Sequence, residues 1–114
     1  MTKQEEFELF KKEFGRYQRL FGLEGYKINF ENKSLKDRNS DICIDVQGMA
    51  ANVVFDRSNK RDEKDIKKIA KHECTHLFLG RVTTYAHRRY ITPDLIEEAE
   101  EEVVRKLVDL IKVK

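Results

Sequence analysis

The first forty residues predict one helix, one strand and a loop. Aromatic side chains recur at steps of three and four residues, which places them on one side of an amphipathic helix. They are Phe7, Phe10, Phe14, Tyr17 and Phe21. Gly22 supplies a stop signal for this helix. Tyr26, Ile28 and Phe30 then alternate with polar residues, which is the period of a half-buried strand. The polar segment 31–40 that follows predicts an exposed loop.

The next segment predicts a β-hairpin. Residues 42–46 alternate between apolar and polar, residues 47–48 are the turn-forming pair Gln-Gly, and residues 50–55 form a second extended run. A polar linker then offers capping residues for a helix. The candidates are Ser58, Asn59 and Asp62.

Two helices are predicted in the second half of the chain. A helical period of apolar residues runs from Ile66 to Phe78 and ends at Gly80. After a connector, the last helix begins near Pro93, with Thr92 as its N-cap, and runs to the C-terminus. Its apolar stripe comprises Leu95, Ile96, Ala99, Val103, Leu107 and Leu110. This order of elements predicts an α+β fold, with an N-terminal helix, a small, mainly antiparallel sheet of about three strands, and two following helices.

Length and composition indicate one intracellular domain. A chain of 114 residues supports a single core, so residues 1–114 are predicted to be one domain. The 23 Lys and Arg residues nearly balance the 21 Asp and Glu residues, which makes nucleic-acid binding unlikely. No apolar segment has the length of a signal-peptide core or a membrane span, and Cys43 and Cys74 do not form a disulfide framework. We expect a cytoplasmic protein with reduced cysteines and no membrane partner.

The charges are unevenly distributed along this balanced chain. Residues 57–71 carry seven basic side chains and three acidic ones, whereas residues 94–102 carry six acidic side chains and no basic one. Such runs are usually solvated helix faces, and the basic run also offers a surface to an acidic partner.

The sequence HECTH at 72–76 predicts a metal site on the helix that contains it. His72 and His76 are four residues apart, so both imidazoles lie on one helical face, about 5–6 Å apart, and can bind one ion. Glu73 lies about 100° round the helix, where it reaches a water molecule near that ion more easily than the ion itself. In the H-E-x-x-H pattern the histidines bind Zn²⁺ and the glutamate is the general base.

A third ligand is needed to complete this site. One common pattern places a glycine and a histidine after the second motif histidine, but those positions hold Leu79 and Val82. The other common solution is a glutamate from a following helix, and the acidic segment 94–102 supplies five. On a helical wheel Glu100 lies at the edge of the apolar stripe, where an unpaired carboxylate is costly. We therefore expect Glu100 to be the third ligand, with Glu97 as the second choice.

The chain resembles the zincin-type metallopeptidases that use a glutamate as third ligand. The resemblance is densest in IAKHECTHLFLGRVTTYAHRRYIT and EEAEEEVVRKLVDLI, and it covers residues 41–114. It is closest to the very small phage- and prophage-encoded members, and the order of elements is similar to that of the ImmA/IrrE-like and SprT-like minimal zincins. The resemblance implies a minimal zincin-like fold and a zinc-dependent peptidase with a protein or peptide substrate. It also implies an edge strand beside the cleft that accepts an extended peptide, for which residues 50–56 are the candidate.

A residue that stabilises the oxyanion is also expected in such a site, usually a tyrosine or a histidine. Tyr85, His87 and Tyr90 lie between the metal-binding segments. We prefer His87 among them, although packing or surface exposure explains each of the three more simply than catalysis does.

Two other functions are compatible with the same residues. One is a non-catalytic, zinc-stabilised module that binds a protein partner, although a structural zinc site needs no base at Glu73. The other is work on nucleic acid through residues 57–71, which the acidic last helix disfavours.

Overall fold

The elements follow one another in the predicted order, with one additional short helix. The computed structural model describes residues 1–88 and 90–110, so the predicted extension of the last helix to residue 114 lies outside the described residues. The elements are α1 (Lys3–Leu20), β1 (Lys27–Lys33), β2 (Ser40–Asp45), β3 (Ala50–Asp56), α2 (Glu63–Phe78), α3 (Gly80–Ala86) and α4 (Pro93–Leu110). The predicted α+β class, with three strands between an N-terminal helix and the later helices, is confirmed.

The aromatic stripe of α1 forms one side of the core. The helix begins with a reciprocal cap, in which Thr2 Oγ1 accepts a hydrogen bond from the Glu5 N–H and Glu5 Oε1 accepts one from the Thr2 N–H. Phe10 is fully buried and stacks on Phe55 of β3, with ring centroids 4.6 Å apart. Gly22 follows the helix with a φ of 70°, a left-handed conformation that glycine adopts without strain.

The three strands form one mixed sheet in the order β1-β3-β2. β2 and β3 pair antiparallel, as the predicted hairpin requires, with Ile42 opposite Val53. β1 pairs with β3 in parallel, with Lys27 opposite Ala50. The sheet is therefore evenly mixed and not mainly antiparallel, because β3 returns between the two earlier strands. Alternating side chains indicate which residues face the core, but they do not indicate which neighbour a strand pairs with.

The predicted assignment of residues 50–56 as the edge strand is wrong. This segment is β3, the central strand, and both of its sides are paired. The edge strand that approaches α2 is β2. Ser40 at its start contacts Glu73, and Ile44 packs so closely on Gly80 that a β-carbon there would lie 3.1 Å from the Ile44 side chain. A near-continuous buried run such as 53–56 is typical of a strand covered on both faces, whereas β2 alternates between exposed and half-buried residues.

α2 carries the motif across the core and ends two residues after it. Asp62 is its N-cap, and the Asp62 carboxylate accepts a hydrogen bond from the Asp65 N–H at 2.9 Å. Ile66 and Ala70 are fully buried on the side of α2 that faces the core. The predicted connector after this helix contains α3. Among the described helices, none combines the length and apolar character needed to cross a bilayer.

α4 is rotated relative to the expected apolar stripe. Ala99 is buried as predicted, but Ile96 and Leu107 are about half exposed. The covered side keeps Leu95, Val103 and Leu110 of the predicted stripe and also includes Glu102 and Lys106. Polar contacts account for this rotation. Arg81 of α3 forms ion pairs with Glu98 and Glu102, and Lys106 donates a hydrogen bond to the Gly22 carbonyl. These contacts orient the helix on α3 in a way that its apolar periodicity does not predict.

Candidate metal and catalytic site

His72 and His76 form a solvent-exposed pair on one turn of α2. Their Nε2 atoms are 3.2 Å apart, and the ring planes are steeply inclined, at 77° to each other. Both Nε2 atoms therefore converge on one point above the helix. The helical spacing alone produces this arrangement, because residues four apart share a face.

The separation of the two nitrogens fits a zinc ion. Zinc–nitrogen bonds of about 2.0–2.1 Å at a tetrahedral angle place two ligand nitrogens about 3.3–3.4 Å apart. The observed Nε2–Nε2 distance is 3.2 Å, and neutral imidazole is a common zinc ligand. The separation of the two nitrogens is therefore compatible with two ligand positions of one zinc ion.

Glu73 is buried beside this exposed pair. Only 4% of the residue is accessible, and Ser40 Oγ donates a hydrogen bond to Glu73 Oε1 at 2.8 Å. Glu73 Oε2 is also buried and has no hydrogen-bond partner among the described residues. A buried carboxylate oxygen without a protein partner can accept a proton or a hydrogen bond from a bound group, and the cavity that Glu73 lines is also lined by His72.

Ser40 is the site residue that the sequence did not reveal. It lies in a segment predicted to be an exposed loop, yet it is the first residue of β2 and is half-buried against Glu73. Ser40 is one of two serines in the polar run 31–40, and no sequence signal distinguishes it. Only the packing of β2 on α2 brings its hydroxyl to the carboxylate.

An open cavity of about 700 Å³ adjoins His72 and Glu73. Its helix side is lined by Asp65, Lys68, Ile69, His72 and Glu73. Its strand side is lined by Arg38, Asn39 and Ser40, together with Asn59 and Arg61 from the linker. The candidate base is therefore reached from a space large enough for substrate side chains.

A buried ion pair fixes the strand side of this cavity. Asp56 is fully buried, and Arg61 Nη2 lies 2.9 Å from Asp56 Oδ2. The same Nη2 atom donates to Asn39 Oδ1 at 2.7 Å, and the Asn39 carbonyl accepts from the Asp56 N–H. Because Asn39 directly precedes Ser40, the ion pair positions the start of β2 and with it the hydroxyl that contacts Glu73.

The Asp56 carboxylate is ionised despite its burial. Burial by itself would raise the pKa of Asp56, but hydrogen bonds from the Leu35 N–H, from Ser58 and from Arg61 outweigh it and hold that pKa well below its usual range. Asp56 is thus a structural anion with satisfied oxygens, in contrast to the incompletely satisfied Glu73.

Cys74 does not contribute to the metal site. It is fully buried on the core side of α2, and burial raises the pKa of its thiol to about 12. Because His72 and His76 are exposed on another side of the helix, a fully buried thiol does not reach an ion held by that pair. Cys43 is an exposed free cysteine on β2.

The structure does not bring the predicted third ligand to the histidine pair. Within residues 1–88 and 90–110, no three His, Cys, Asp or Glu side chains converge as a metal shell. Glu100 is exposed and lines a separate, mostly apolar cavity between α3 and α4, and Glu97 is exposed as well. The role of Glu100 therefore stays a prediction, and it requires α4 to come closer to α2.

The three candidates for oxyanion stabilisation also lie outside the cavity beside Glu73. His87 is exposed at the end of α3, where its Nδ1 contacts the Thr83 carbonyl. Tyr85 is buried, with the guanidinium groups of Arg81 and Arg88 over its ring. Tyr90 is 83% exposed. The preference for His87 gains no support from this arrangement.

Comparisons with protein-family models, with curated proteins and with solved structures find no match for this chain. The resemblance seen in residues 41–114 is therefore a hypothesis.

Proposed function

We propose that the protein is a cytoplasmic, zinc-dependent metallopeptidase that hydrolyses a protein or peptide substrate. One observation carries the proposal. A histidine pair at zinc-chelating separation lies next to a buried carboxylate with one free oxygen. A structural metal site does not require a general base, whereas hydrolysis requires one beside the metal-bound water.

Zinc bound by His72 and His76 would polarise the substrate carbonyl and acidify a water molecule. Glu73 would accept the proton of the attacking water at Oε2, the oxygen without a partner, and later deliver it to the leaving amine. The Ser40 hydroxyl holds the other carboxylate oxygen, Oε1, and so limits rotation of the carboxylate. Strand β2 and the base are thereby coupled through one hydrogen bond.

The free edge of β2 is the surface proposed to bind the peptide. The Asn39 carbonyl accepts a hydrogen bond from the Asp56 N–H at 3.0 Å, so residues 39 and 56 are a hydrogen-bonded pair. Such pairs alternate along antiparallel strands, and residues 40, 42 and 44 consequently direct their backbone groups away from β3. An extended peptide can add to these groups as a further strand, and Ser40 at the start of this edge lines the same cavity as His72.

A non-catalytic, zinc-stabilised module that binds a partner at the same edge is the second candidate. It is favoured by the cavity lining, because none of Tyr85, His87 and Tyr90 lies there to stabilise an oxyanion. The two candidates share the metal and the peptide surface, and they differ in whether bound peptide is cleaved.

Protein purified without added metal is expected to contain one zinc ion per chain, and His76→Ala is expected to remove it. At zinc concentrations about 100 times the dissociation constant, bound zinc adds about 2.7 kcal/mol to the free energy of unfolding. The wild type should therefore gain thermal stability on zinc addition, and the His76→Ala protein should not. Elemental analysis and thermal melts measure both effects.

His87→Ala is the matched control, because the structure does not bring this histidine to the pair. It should retain zinc and the zinc-dependent rise in melting temperature. Full zinc occupancy in the His76→Ala protein would refute the assignment of the metal site.

Alanine variants at positions 97, 98, 100, 101 and 102 test the third ligand by zinc titration. Glu100→Ala is expected to weaken zinc binding, because loss of one carboxylate leaves only two protein ligands. Glu98 and Glu102 pair with Arg81, so their alanine variants should loosen α4 from α3 and leave zinc affinity unchanged. Glu101→Ala is the surface control, with an effect within about 0.5 kcal/mol on stability.

Weakened zinc binding in the Glu97→Ala protein, with unchanged binding in the Glu100→Ala protein, would identify Glu97 as the third ligand. Unchanged zinc affinity in all five variants would exclude a glutamate ligand from this helix and leave His87 or water to complete the shell.

A further inference from the structure

The outer edge of β1 is unpaired, on the opposite side of the sheet from β2. The Lys27 N–H donates a hydrogen bond to the Met49 carbonyl at 2.9 Å, so Lys27 directs its backbone groups toward β3. The parallel register with β3 continues to the end of the strand. Because alternate residues of a strand direct these groups to opposite sides, residues 28, 30 and 32 direct theirs away from β3. No other segment within residues 1–88 and 90–110 pairs with this edge.

The side chains of β1 do not protect this edge from pairing with another strand. Ile28 and Phe30 lie on the core face and are only half-buried. The opposite face carries Lys27, Asn29 and Glu31, so it has charges of both signs. Charge of one sign along an edge opposes self-pairing, whereas charges of both signs permit it in a register that places opposite signs together. An edge with free backbone groups and partly exposed apolar side chains is a template for a further strand.

We infer that a second copy of this chain pairs with β1 antiparallel, about a two-fold axis at Asn29. In this register Lys27 of each copy lies opposite Glu31 of the other, so the interface contains a cross-strand ion pair on each side of the axis. Ile28 lies opposite Phe30 of the second copy, and both direct their backbone groups to the interface, where they exchange hydrogen bonds. Both copies use the same surface, which closes the assembly at a dimer. This dimer is independent of the peptidase activity proposed above.

The charged groups of this register are available to the second copy. Lys27 is exposed and forms no ion pair with any residue that the structure describes. Glu31 lies 3.6 Å from Lys33, but the side chains are 43% and 58% exposed, so water screens this ion pair. The contact with Lys33 and the hydrogen bond from Asn52 Nδ2 both use Glu31 Oε2, which leaves Oε1 for Lys27 of the second copy.

Charge distinguishes this register from its neighbours. An axis one residue later would place Lys27 opposite Lys33 of the second copy, and like charges directly opposite each other are destabilising. An axis three residues later would place Glu31 opposite Lys33, but the two strands would overlap only over residues 31–33 and leave the apolar residues of β1 outside the paired segment. The axis at Asn29 combines opposite charges with contact between apolar side chains.

The edge of β2 does not support the same kind of association. Its charged residues are Asp41 and Asp45, so no register of two β2 strands places opposite charges together. Dimerisation through β1 gives one continuous sheet with a β2 strand at each end. The cavity beside His72 and Glu73 contains no residue of β1 in its lining, so the candidate site stays open in the dimer.

Helix α1 leaves room for the second copy. Phe10 of α1 stacks on Phe55 of β3 and meets Phe30 of β1 edge-on, with ring centroids 4.6 Å and 6.2 Å apart respectively, so α1 lies above the junction of β1 and β3. Paired strands are about 4.8 Å apart, which places the two α1 helices about 10 Å apart in the dimer. Packed helices are normally separated by about 8–10 Å, so the two helices would contact each other without a clash.

Sedimentation velocity over a range of concentrations tests the dimer, with charge reversal at the two paired positions. Lys27→Glu and Glu31→Lys each place like charges opposite each other on both sides of the axis, so each is expected to weaken association at least about 10-fold. An equimolar mixture of the two variants should restore dimers of near wild-type affinity, because every charge then meets the opposite charge on the other chain. Thermal melts of the separate variants verify that both remain folded.

Lys33→Gln is the matched control for charge on this strand. Lys33 lies opposite Gly25 in the proposed register, so its neutralisation should change the dissociation constant by less than about twofold. Tighter association would indicate the axis one residue later, and weaker association would indicate the axis three residues later. Either result would overturn the register about Asn29.

Disulfide trapping tests the axis directly. Asn29→Cys in a Cys43→Ser background should form an intermolecular disulfide, because the two residues 29 are a non-hydrogen-bonded pair with α-carbons about 4.5 Å apart, which a disulfide spans. Lys27→Cys in the same background should not cross-link, since its two copies lie about 13 Å apart along the strands.

Wild-type protein that sediments as a monomer up to about 1 mM would overturn the dimer. So would a mixture that associates no better than the separate variants, because the effect of each charge reversal would then not arise from pairing between copies. Assemblies larger than a dimer would also overturn it, since they indicate open-ended pairing of β1 on β2.

Discussion

The Glu73→Gln protein is expected to hydrolyse an unfolded protein substrate at least about 100-fold more slowly than the wild type, with its zinc content unchanged. Glutamine has nearly the shape of glutamate, and its amide oxygen can still accept the hydrogen bond from Ser40 Oγ. An amide cannot take a proton from water at neutral pH, so the general base is lost while the fold and the histidine pair are kept. Single-turnover hydrolysis and elemental analysis measure the two quantities separately.

Three further variants test the role of Glu73 as the base. Glu63→Gln changes an exposed glutamate on the same helix and should leave hydrolysis unaffected. Ser40→Ala should lower kcat more than it changes KM, because the hydroxyl orients the base and does not itself bind substrate, and Ser40→Thr should restore the rate. Hydrolysis that survives Glu73→Gln would show that another group accepts the proton.

Asp56→Ala is expected to destabilise the domain by about 3–5 kcal/mol, because it leaves the Arg61 guanidinium buried without its anion. Asp56 is fully buried, and its two oxygens also accept hydrogen bonds from the Leu35 N–H and from Ser58. Urea denaturation measures the loss. Glu8→Ala, which breaks the exposed ion pair with Lys11, is the control and should cost at most about 1 kcal/mol. An equal loss of unfolding free energy in the two variants would show that the buried ion pair stabilises the domain no more than the exposed one.

The same carboxylate predicts the acid dependence of stability. The pKa of Asp56 is held below its unfolded value of about 3.9, so its contribution is complete above that pH and is lost as the pH falls toward the lowered folded pKa. The wild type should therefore lose stability below about pH 4 more steeply than Asp56→Asn, whose residue 56 does not titrate. Parallel pH profiles for the two proteins would contradict this account.

The elements and their boundaries were largely predictable from the sequence, whereas their partners were not. The aromatic stripe of α1, the hairpin and the cap at Thr92 are local patterns, and the structure contains each of them. The position of β3 between β1 and β2 depends on long-range pairing, so the alternation of side chains did not predict it. The apolar stripe of α4 likewise did not predict its rotation, which the ion pairs of Arg81 set.

The candidate site likewise combines features that the sequence predicts with features that only the tertiary structure sets. His72, Glu73 and His76 lie on one turn of helix, and helical geometry alone places the imidazoles together and turns the carboxylate to the side. Three other features depend on residues far apart in the chain: the burial of Glu73, the hydroxyl of Ser40 thirty-three residues earlier, and the identity of the free edge strand. Local periodicity specifies which side chains share one face of a single helix. The surroundings of that helix are specified by packing between elements, which acts across distances that no local pattern encodes.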